Sequence, residues 1–182
     1  PGGAMRAQAL EPIRVVERFA PIQVKECESG VYLFDAGRNM AGWAALKLRG
    51  ERGQCITLRF AETLGADGKI NTQTLRQAEA TDTYTCKGEG LESWEPRFTY
   101  HGFRYVEVSG LSAPPDADTL TLCLVRSAVE QCGFFRCDNE LLEQIEATVI
   151  RTEESNLHGI PTDCPQRNER FGWLNDMTVR TE

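Results

Sequence analysis

The stretch Cys55-Ile56-Thr57-Leu58-Arg59-Phe60 is the clearest predictor of the fold, because apolar and polar residues alternate along it. Successive side chains of a β-strand point to opposite faces, so Ile56, Leu58 and Phe60 share one face. The segment is therefore predicted to be a half-buried strand whose apolar side faces a core.

Comparable short segments extend from this strand towards both ends of the chain, separated by turn signals such as Asp35-Ala36-Gly37 and Asp67-Gly68. The further predicted strands are 13–17, 22–24, 31–35, 43–49, 81–86, 96–100, 103–108, 119–125 and 133–136. No helical period lies between them, and strands that follow one another directly favour antiparallel pairing. We therefore predict a mainly β fold, an antiparallel β-sandwich or jelly roll.

The pattern changes near Cys137, after which apolar residues recur at three- and four-residue steps. This spacing predicts an amphipathic helix over 139–156, with Asp138 as its N-cap. Its apolar face is formed by Leu141, Leu142, Ile145, Val149 and Thr152.

Asn175 or Asp176 is predicted to cap a second helix starting at Met177. We place a domain boundary near residue 130, between a β domain (1–130, in which 1–29 is a weakly patterned lead-in) and a helical part (131–182).

Composition and charge exclude several function classes. The net charge of −7 over 182 residues argues against a nucleic-acid surface, which needs clustered lysine and arginine. No apolar run is long enough for a membrane span, and the first residues, which resemble a cut end, have no signal-peptide pattern. The seven cysteines are odd in number and form no Cys-x-x-Cys pair, which favours reduced thiols and a cytoplasmic location.

The segment Pro161–Asp176 concentrates the residues suited to chemistry, and its two prolines predict a shaped loop. Glu169 is the candidate general acid for glycoside hydrolysis, which usually needs two carboxyl groups. A general acid must carry a proton, whereas a neighbouring arginine favours the ionised form of a carboxyl. We therefore expect Arg167 and Arg170 to pair with Asp163 or Asp176 instead.

The other members of this loop have a functional and a structural interpretation. Asp163 and Asp176 can accept hydrogen bonds from sugar hydroxyls, and Trp173 offers a flat apolar face for a sugar ring. Alternatively, Asp163 caps a turn, Arg167 bridges carboxylates for stability, and Trp173 belongs to a core. A zinc site from Cys132, Cys137 and His158 lacks a known ligand spacing. We predict no metal and no cofactor.

Two sets of residues resemble the bacterial α-L-rhamnosidases, the family 78 glycoside hydrolases. The first set resembles the β-sandwich domain that precedes the catalytic domain in that family, and consists of 34–43, 59–62, 75–76, 82–84 and 96–106. The second is the long motif 156–173, closing at Asp176, which resembles the signature at the start of the family's (α/α)6 barrel. The resemblance covers roughly residues 30 to 180.

This resemblance implies a concanavalin-like sandwich followed by one or two helices of a truncated barrel, and inverting hydrolysis of terminal α-L-rhamnosides. Glu169 takes the place of the general acid, and the positions that line the sugar are taken by Asp163, Arg167, Trp173 and Asp176. Asn168 stands where an aspartate is usual, and Leu174-Asn175 replaces a more common Thr-Gly pair, which bears on substrate preference. The general base comes from a later part of the barrel, so we expect this chain alone to be inactive.

The expected partners are a rhamnose-containing glycoside and the rest of the chain's own catalytic domain. The apolar helix face leaves three alternatives open: packing on the sandwich, pairing with another copy in a homo-oligomer, or partial disorder. Two non-catalytic functions also stay open, namely a carbohydrate-binding sandwich and a structural sandwich that braces the barrel.

Overall fold

The computed structural model describes residues 3–173, 175 and 176, and its strands pair antiparallel throughout. Eight strands form one curled sheet with the order β1-β8-β3-β7-β4-β5, in which β2 and β6 also pair with β3. The bounds are β1 (Ile13–Phe19), β2 (Gln23–Glu28), β3 (Val31–Arg49), β4 (Cys55–Ala61), β5 (Thr81–Thr85), β6 (Leu91–Trp94), β7 (His101–Ser109) and β8 (Leu120–Ser127). The predicted mainly β, antiparallel sandwich is confirmed.

Strand β3 joins the two layers of the sandwich. Its first part, from Val31 to Asp35, pairs with β2 and β7, and its last part pairs with β8 and β6. The two separate strands predicted at 31–35 and 43–49 are therefore one strand of 19 residues. The turn signal at Asp35-Ala36-Gly37 instead forms an irregularity in the ladder, in which the Gly37 N–H donates to Asp35 Oδ1 at 2.7 Å.

The core lies between the two layers and is built from the predicted alternating faces. The apolar residues of the alternating segment in β4 are fully buried, as predicted: Ile56, Leu58 and Phe60. Phe34 and Phe103 join them, and the ring of Phe103 meets that of Phe60 edge to face at 5.0 Å. Burying such side chains removes apolar surface from water, which is the main favourable contribution to folding.

Two predicted strands are wrong. Residues 96–100 are not a strand, because Pro96 has no N–H for a ladder and Phe98 has a positive φ of 59° with its side chain fully exposed. The chain forms β6 before this point instead. Residues 133–136 are also irregular: they follow β8, which already pairs with β1 and β3 on its two sides, and they do not join the sheet.

The predicted helix is confirmed as α1 (Glu140–Asn156). Its N-cap is Asn139 and not Asp138, because the Asn139 side chain accepts from the N–H groups of Leu141 and Leu142, the second and third helical residues. The last turn packs on the sandwich, where Glu154 pairs with Arg126 of β8 at 3.2 Å. The first turns leave their apolar side chains at the surface: Leu141, Leu142, Ile145 and Val149.

Further features concern the C-terminal residues and the cysteines. Asn175 and Asp176, one of which was predicted to cap a second helix, are themselves helical, and the helix predicted to start at Met177 lies outside the described residues. The boundary near residue 130 stays a prediction.

All seven cysteines are free thiols. Within the part of the chain that the structure describes, no helix has the length and apolarity to cross a membrane.

Candidate functional site

The loop predicted to carry the site starts directly after α1 and is attached to the sandwich at its base. Strands β9 (Leu157–His158) and β10 (Ile160–Pro161) form a two-residue antiparallel pair. The Gly159 N–H donates to Ser127 Oγ of β8 at 2.8 Å. The N–H and Oγ1 of Thr162 both donate to the carbonyl of Asn156, at 2.7 and 3.0 Å. The loop therefore leaves the helix in a defined direction.

Asp163 holds the loop closed. Its backbone N–H donates to the Phe171 carbonyl at 2.9 Å, and its Oδ1 accepts from the Phe171 N–H at 2.8 Å. Its Oδ2 lies 3.3 Å from Arg167 Nη2, and only 7% of its side chain is exposed. Buried charges of this kind need such partners, so Asp163 shapes the loop as well as the site.

Arg167 lies between two carboxylates. Its Nη2 is 3.3 Å from Asp163 Oδ2 and 3.6 Å from Glu169 Oε2. A hydrogen bond with Cys164 and the nearby negative charges of Glu169 and Asp163 raise the pKa of Arg167 above its ordinary value. The structure thus brings together three of the five predicted site residues, namely Asp163, Arg167 and Glu169.

Glu169 has a second cationic partner that sequence reasoning missed. Its Oε2 accepts from Nη1 of Arg76, a residue of the sandwich, at 2.9 Å, while a quarter of the Glu169 side chain is exposed. The expected pairing of Arg167 with Asp163 is confirmed. The expectation that arginines pair with other acids instead of Glu169 is wrong, because Arg76 and Arg167 both lie beside it. Arg76 belongs to the family-like residues 75–76, but a separation of 93 positions gave no sequence signal that the two meet.

Arg170 pairs with carbonyl groups in place of the expected acids. Its Nη2 donates to the carbonyls of Tyr100 and Pro165, and its Nε donates to that of Arg167. Its guanidinium also lies 4.0 Å from the centre of the Tyr100 ring. Arg170 thereby fastens the loop to the start of β7. The fit is close, since a Cβ on Gly102 would lie 2.7 Å from the Gln166 nitrogen.

Trp173 and Asp176 lie further along, at the surface. Trp173 is about half exposed, and its ring meets that of Phe171 edge to face at 5.7 Å. The prediction that Trp173 belongs to a core is therefore not favoured. Asp176 lies in the short helical segment and is exposed. A half-exposed indole offers a flat apolar face on which a sugar ring can stack.

One group of possible metal ligands occurs among the described residues, namely Asp163, Cys164 and Glu169, with ligand atoms within 4.8 Å of one another. The guanidinium group of Arg167 lies beside both Asp163 and Glu169, and that of Arg76 lies beside Glu169. Adjacent positive charge opposes a cation, so the residues present do not favour a metal. The suggested ligands Cys132, Cys137 and His158 are not part of this group.

His158, at the base of the loop, makes the stability of the folded chain depend on pH. Its ring stacks on Tyr100 at 3.9 Å, and burial, followed by the positive charge of Arg170, lowers the pKa of His158 from 6.5 to about 4. The unfolded chain takes up a proton below pH 6.5 that the folded chain rejects until about pH 4. Stability is therefore lost as the pH falls through this window.

We expect His158 to remove about 2 kcal/mol of unfolding free energy between pH 7 and pH 5. Urea denaturation of the chain and of the His158→Gln variant at several pH values measures this contribution. The variant should have a flatter dependence over that range. The comparison isolates His158 because His101 is present in both proteins; equal slopes would contradict the assignment.

Two family models together match most of the chain. Residues 25–126 match the model of the bacterial alpha-L-rhamnosidase concanavalin-like domain, and residues 130–182 match that of the bacterial alpha-L-rhamnosidase 6 hairpin glycosidase domain. An alpha-L-rhamnosidase of Streptomyces avermitilis is 39% identical over 173 residues, which cover 95% of this chain and 17% of the relative.

Solved structures of alpha-L-rhamnosidases are also similar to this chain. An alpha-L-rhamnosidase from Dictyoglumus thermophilum has a TM-score of 0.94 at 45% identity, covering 98% of this chain and 20% of that protein. The Streptomyces avermitilis enzyme complexed with L-rhamnose has a TM-score of 0.91 at 39% identity, covering 95% and 17%. This chain thus spans about a fifth of the length of these relatives. On the match over 25–126, the chain belongs to the bacterial alpha-L-rhamnosidase family.

Proposed function

We propose that this chain supplies the proton-donating half of an inverting α-L-rhamnosidase active site. The observation that carries the proposal is the cluster of Asp163, Arg167 and Glu169 on a loop fastened to the sandwich. The relatives named alpha-L-rhamnosidase, one of them complexed with L-rhamnose, support a rhamnose-containing glycoside as substrate.

In this mechanism the Glu169 carboxyl gives its proton to the glycosidic oxygen while the bond from that oxygen to C1 breaks. The bond's electron pair stays on the oxygen, and the aglycone leaves as a neutral alcohol. A water molecule attacks C1 from the opposite face and loses a proton to a general base, which we place in a later part of the barrel. The guanidinium group of Arg167 stabilises the carboxylate that remains on Glu169.

The other site residues hold the sugar in this proposal. Trp173 offers a stacking face, and Asp163 and Asp176 accept hydrogen bonds from hydroxyl groups. The rest of the catalytic domain would cover the apolar side chains that the first turns of α1 leave exposed, among them Leu141 and Ile145.

We expect the 182-residue chain alone to give no detectable hydrolysis of an aryl α-L-rhamnoside, because an inverting reaction needs a base to activate water. The full-length protein that carries this chain should hydrolyse the same substrate. Proton NMR of the first sugar released should show the β anomer, since inversion changes the configuration at C1. Turnover by the isolated chain, or initial release of the α anomer, would contradict the proposal.

A non-catalytic sugar-binding function has one observation in its favour. An open groove of about 960 Å³ on the sandwich is lined by Trp43, Trp94 and Phe98 together with the polar side chains of Asp82 and Arg97. Calorimetric titration of the isolated chain with L-rhamnose tests this alternative. Saturable binding that Phe98→Ala abolishes would favour it, and binding lost only in Trp173→Ala would favour the catalytic loop.

A further inference from the structure

Arg76 is presented by a well-anchored loop between β4 and β5. It follows the 3-10 turn Gln73–Leu75, whose Leu75 is buried in the domain. Backbone hydrogen bonds join Leu75 to Thr72 at 3.1 Å and Ala78 to Leu75 at 3.0 Å. Burial of Leu75 and these local hydrogen bonds therefore support the Arg76 backbone in addition to its ion pair.

The backbone of Arg76 is strained. Its φ of 54° and ψ of −109° lie in a region that residues with a side chain rarely adopt. Such strain persists where the surrounding structure imposes it, and it occurs often at functional sites. The Arg76 side chain is 60% exposed, so its ion pair adds little to fold stability and does not account for the strain.

The contact of Arg76 falls on one particular oxygen. Nη1 of Arg76 is 2.9 Å from Oε2 of Glu169, and Nη2 of Arg167 is 3.6 Å from the same atom. An oxygen that faces two guanidinium groups is a poor place for a proton. The transferable proton of Glu169 therefore belongs on Oε1.

We propose that Arg76 is a positioning residue, contributed by the β-sandwich domain, that orients the carboxyl of Glu169 and stabilises the carboxylate formed when its proton leaves. The inference rests on the proposed role of Glu169 as general acid. It gives the sandwich a direct part in proton transfer. The proton passes from Oε1 to the glycosidic oxygen, and the negative charge left on Glu169 is shared with Arg76 and Arg167.

The test uses the full-length protein and two aryl α-L-rhamnosides, one releasing 4-methoxyphenol and one releasing 2,4-dinitrophenol. The first leaving group needs protonation and the second hardly does. Arg76→Met should lower kcat about tenfold on the methoxyphenyl substrate, as expected for a lost charged hydrogen bond, and leave the dinitrophenyl rate and both KM values little changed. Arg76→Lys should recover most of the loss, because it keeps the positive charge.

Two further variants keep the result decisive. In a Glu169→Gln background, Arg76→Met should cause no additional loss, since the acid that it acts on is absent. The matched control Arg59→Met removes a similar ion pair, with Glu107 at 2.9 Å between β4 and β7, and should leave both rates unchanged.

Several outcomes overturn the inference. Equal losses on both substrates, or an additional loss in the Glu169→Gln background, would make Arg76 a structural residue only. Full activity of Arg76→Met with a strongly impaired Glu169→Gln would refute the role of Arg76 alone. Near-normal turnover of Glu169→Gln on the methoxyphenyl substrate would refute the proposed function itself.

Discussion

Glu169→Gln in the full-length protein is expected to lower kcat by about 10² to 10⁴ on a rhamnoside with a poor leaving group, which is the usual size of general acid catalysis. Glutamine has nearly the shape of glutamic acid but has no acidic proton to give. It can still accept from Arg76 and Arg167 through its carbonyl oxygen, so the loop should keep its geometry. Binding of L-rhamnose, measured by calorimetry, should largely survive.

The control for this result is Glu51→Gln, in the exposed loop between β3 and β4, which should keep the normal rate. A loss confined to kcat assigns Glu169 to the chemical step. Loss of rhamnose affinity with unchanged kcat would instead make Glu169 a residue that only binds the sugar.

Gly42→Ala is expected to lower the unfolding free energy of the sandwich by at least about 4 kcal/mol, a loss that single substitutions cause only when they create a severe packing defect. Gly42 pairs with His101 of β7 and with Leu124 of β8, where β3 passes from one layer to the other. A Cβ added there would lie 1.9 Å from the carbonyl oxygen of Cys123, a backbone atom held in the sheet. Urea denaturation followed by tryptophan fluorescence measures the loss, and failure to obtain folded protein has the same meaning.

Two matched glycines separate the clash from other effects. Gly53 has a φ of +85° but open space where a Cβ would point, so Gly53→Ala should cost only about 1 kcal/mol of backbone strain. Gly133→Ala meets neither problem and should be close to neutral. A Gly42→Ala protein as stable as the Gly133→Ala protein would show that the sheet can open at this crossing.

The fold was largely predictable because an element with one buried face has apolar residues at a regular spacing in the local sequence. The alternation in β4 and the apolar spacing of α1 each result from one buried face, and both elements are confirmed. The length of β3 was not predictable, because Asp35-Ala36-Gly37 has turn chemistry that the sheet absorbs as an irregularity. Residues 133–136 have strand composition but do not join the sheet, and the strand order that leaves them out is not visible in the local sequence.

The candidate site divides in the same way. Asp163, Arg167 and Glu169 lie within seven consecutive positions, so their proximity follows from the chain itself. Arg76 reaches Glu169 only through the packing of the loop on the sandwich. The acids near Arg170 in the sequence suggested an ion pair. The Arg170 guanidinium instead donates to the carbonyls of Tyr100 and Pro165. The contact with Tyr100 depends on tertiary structure.

The long strand β3 also orders events during synthesis of the protein. Its first part finds β2 immediately upstream, whereas its last part pairs with β8, which ends at Ser127. Pairings between distant segments pay their loop-closure entropy before they gain contacts, so they form late. The sandwich can therefore close only after Ser127 has left the ribosome. The surface that receives Arg170 and Pro165 is completed just before the loop that rests on it is made.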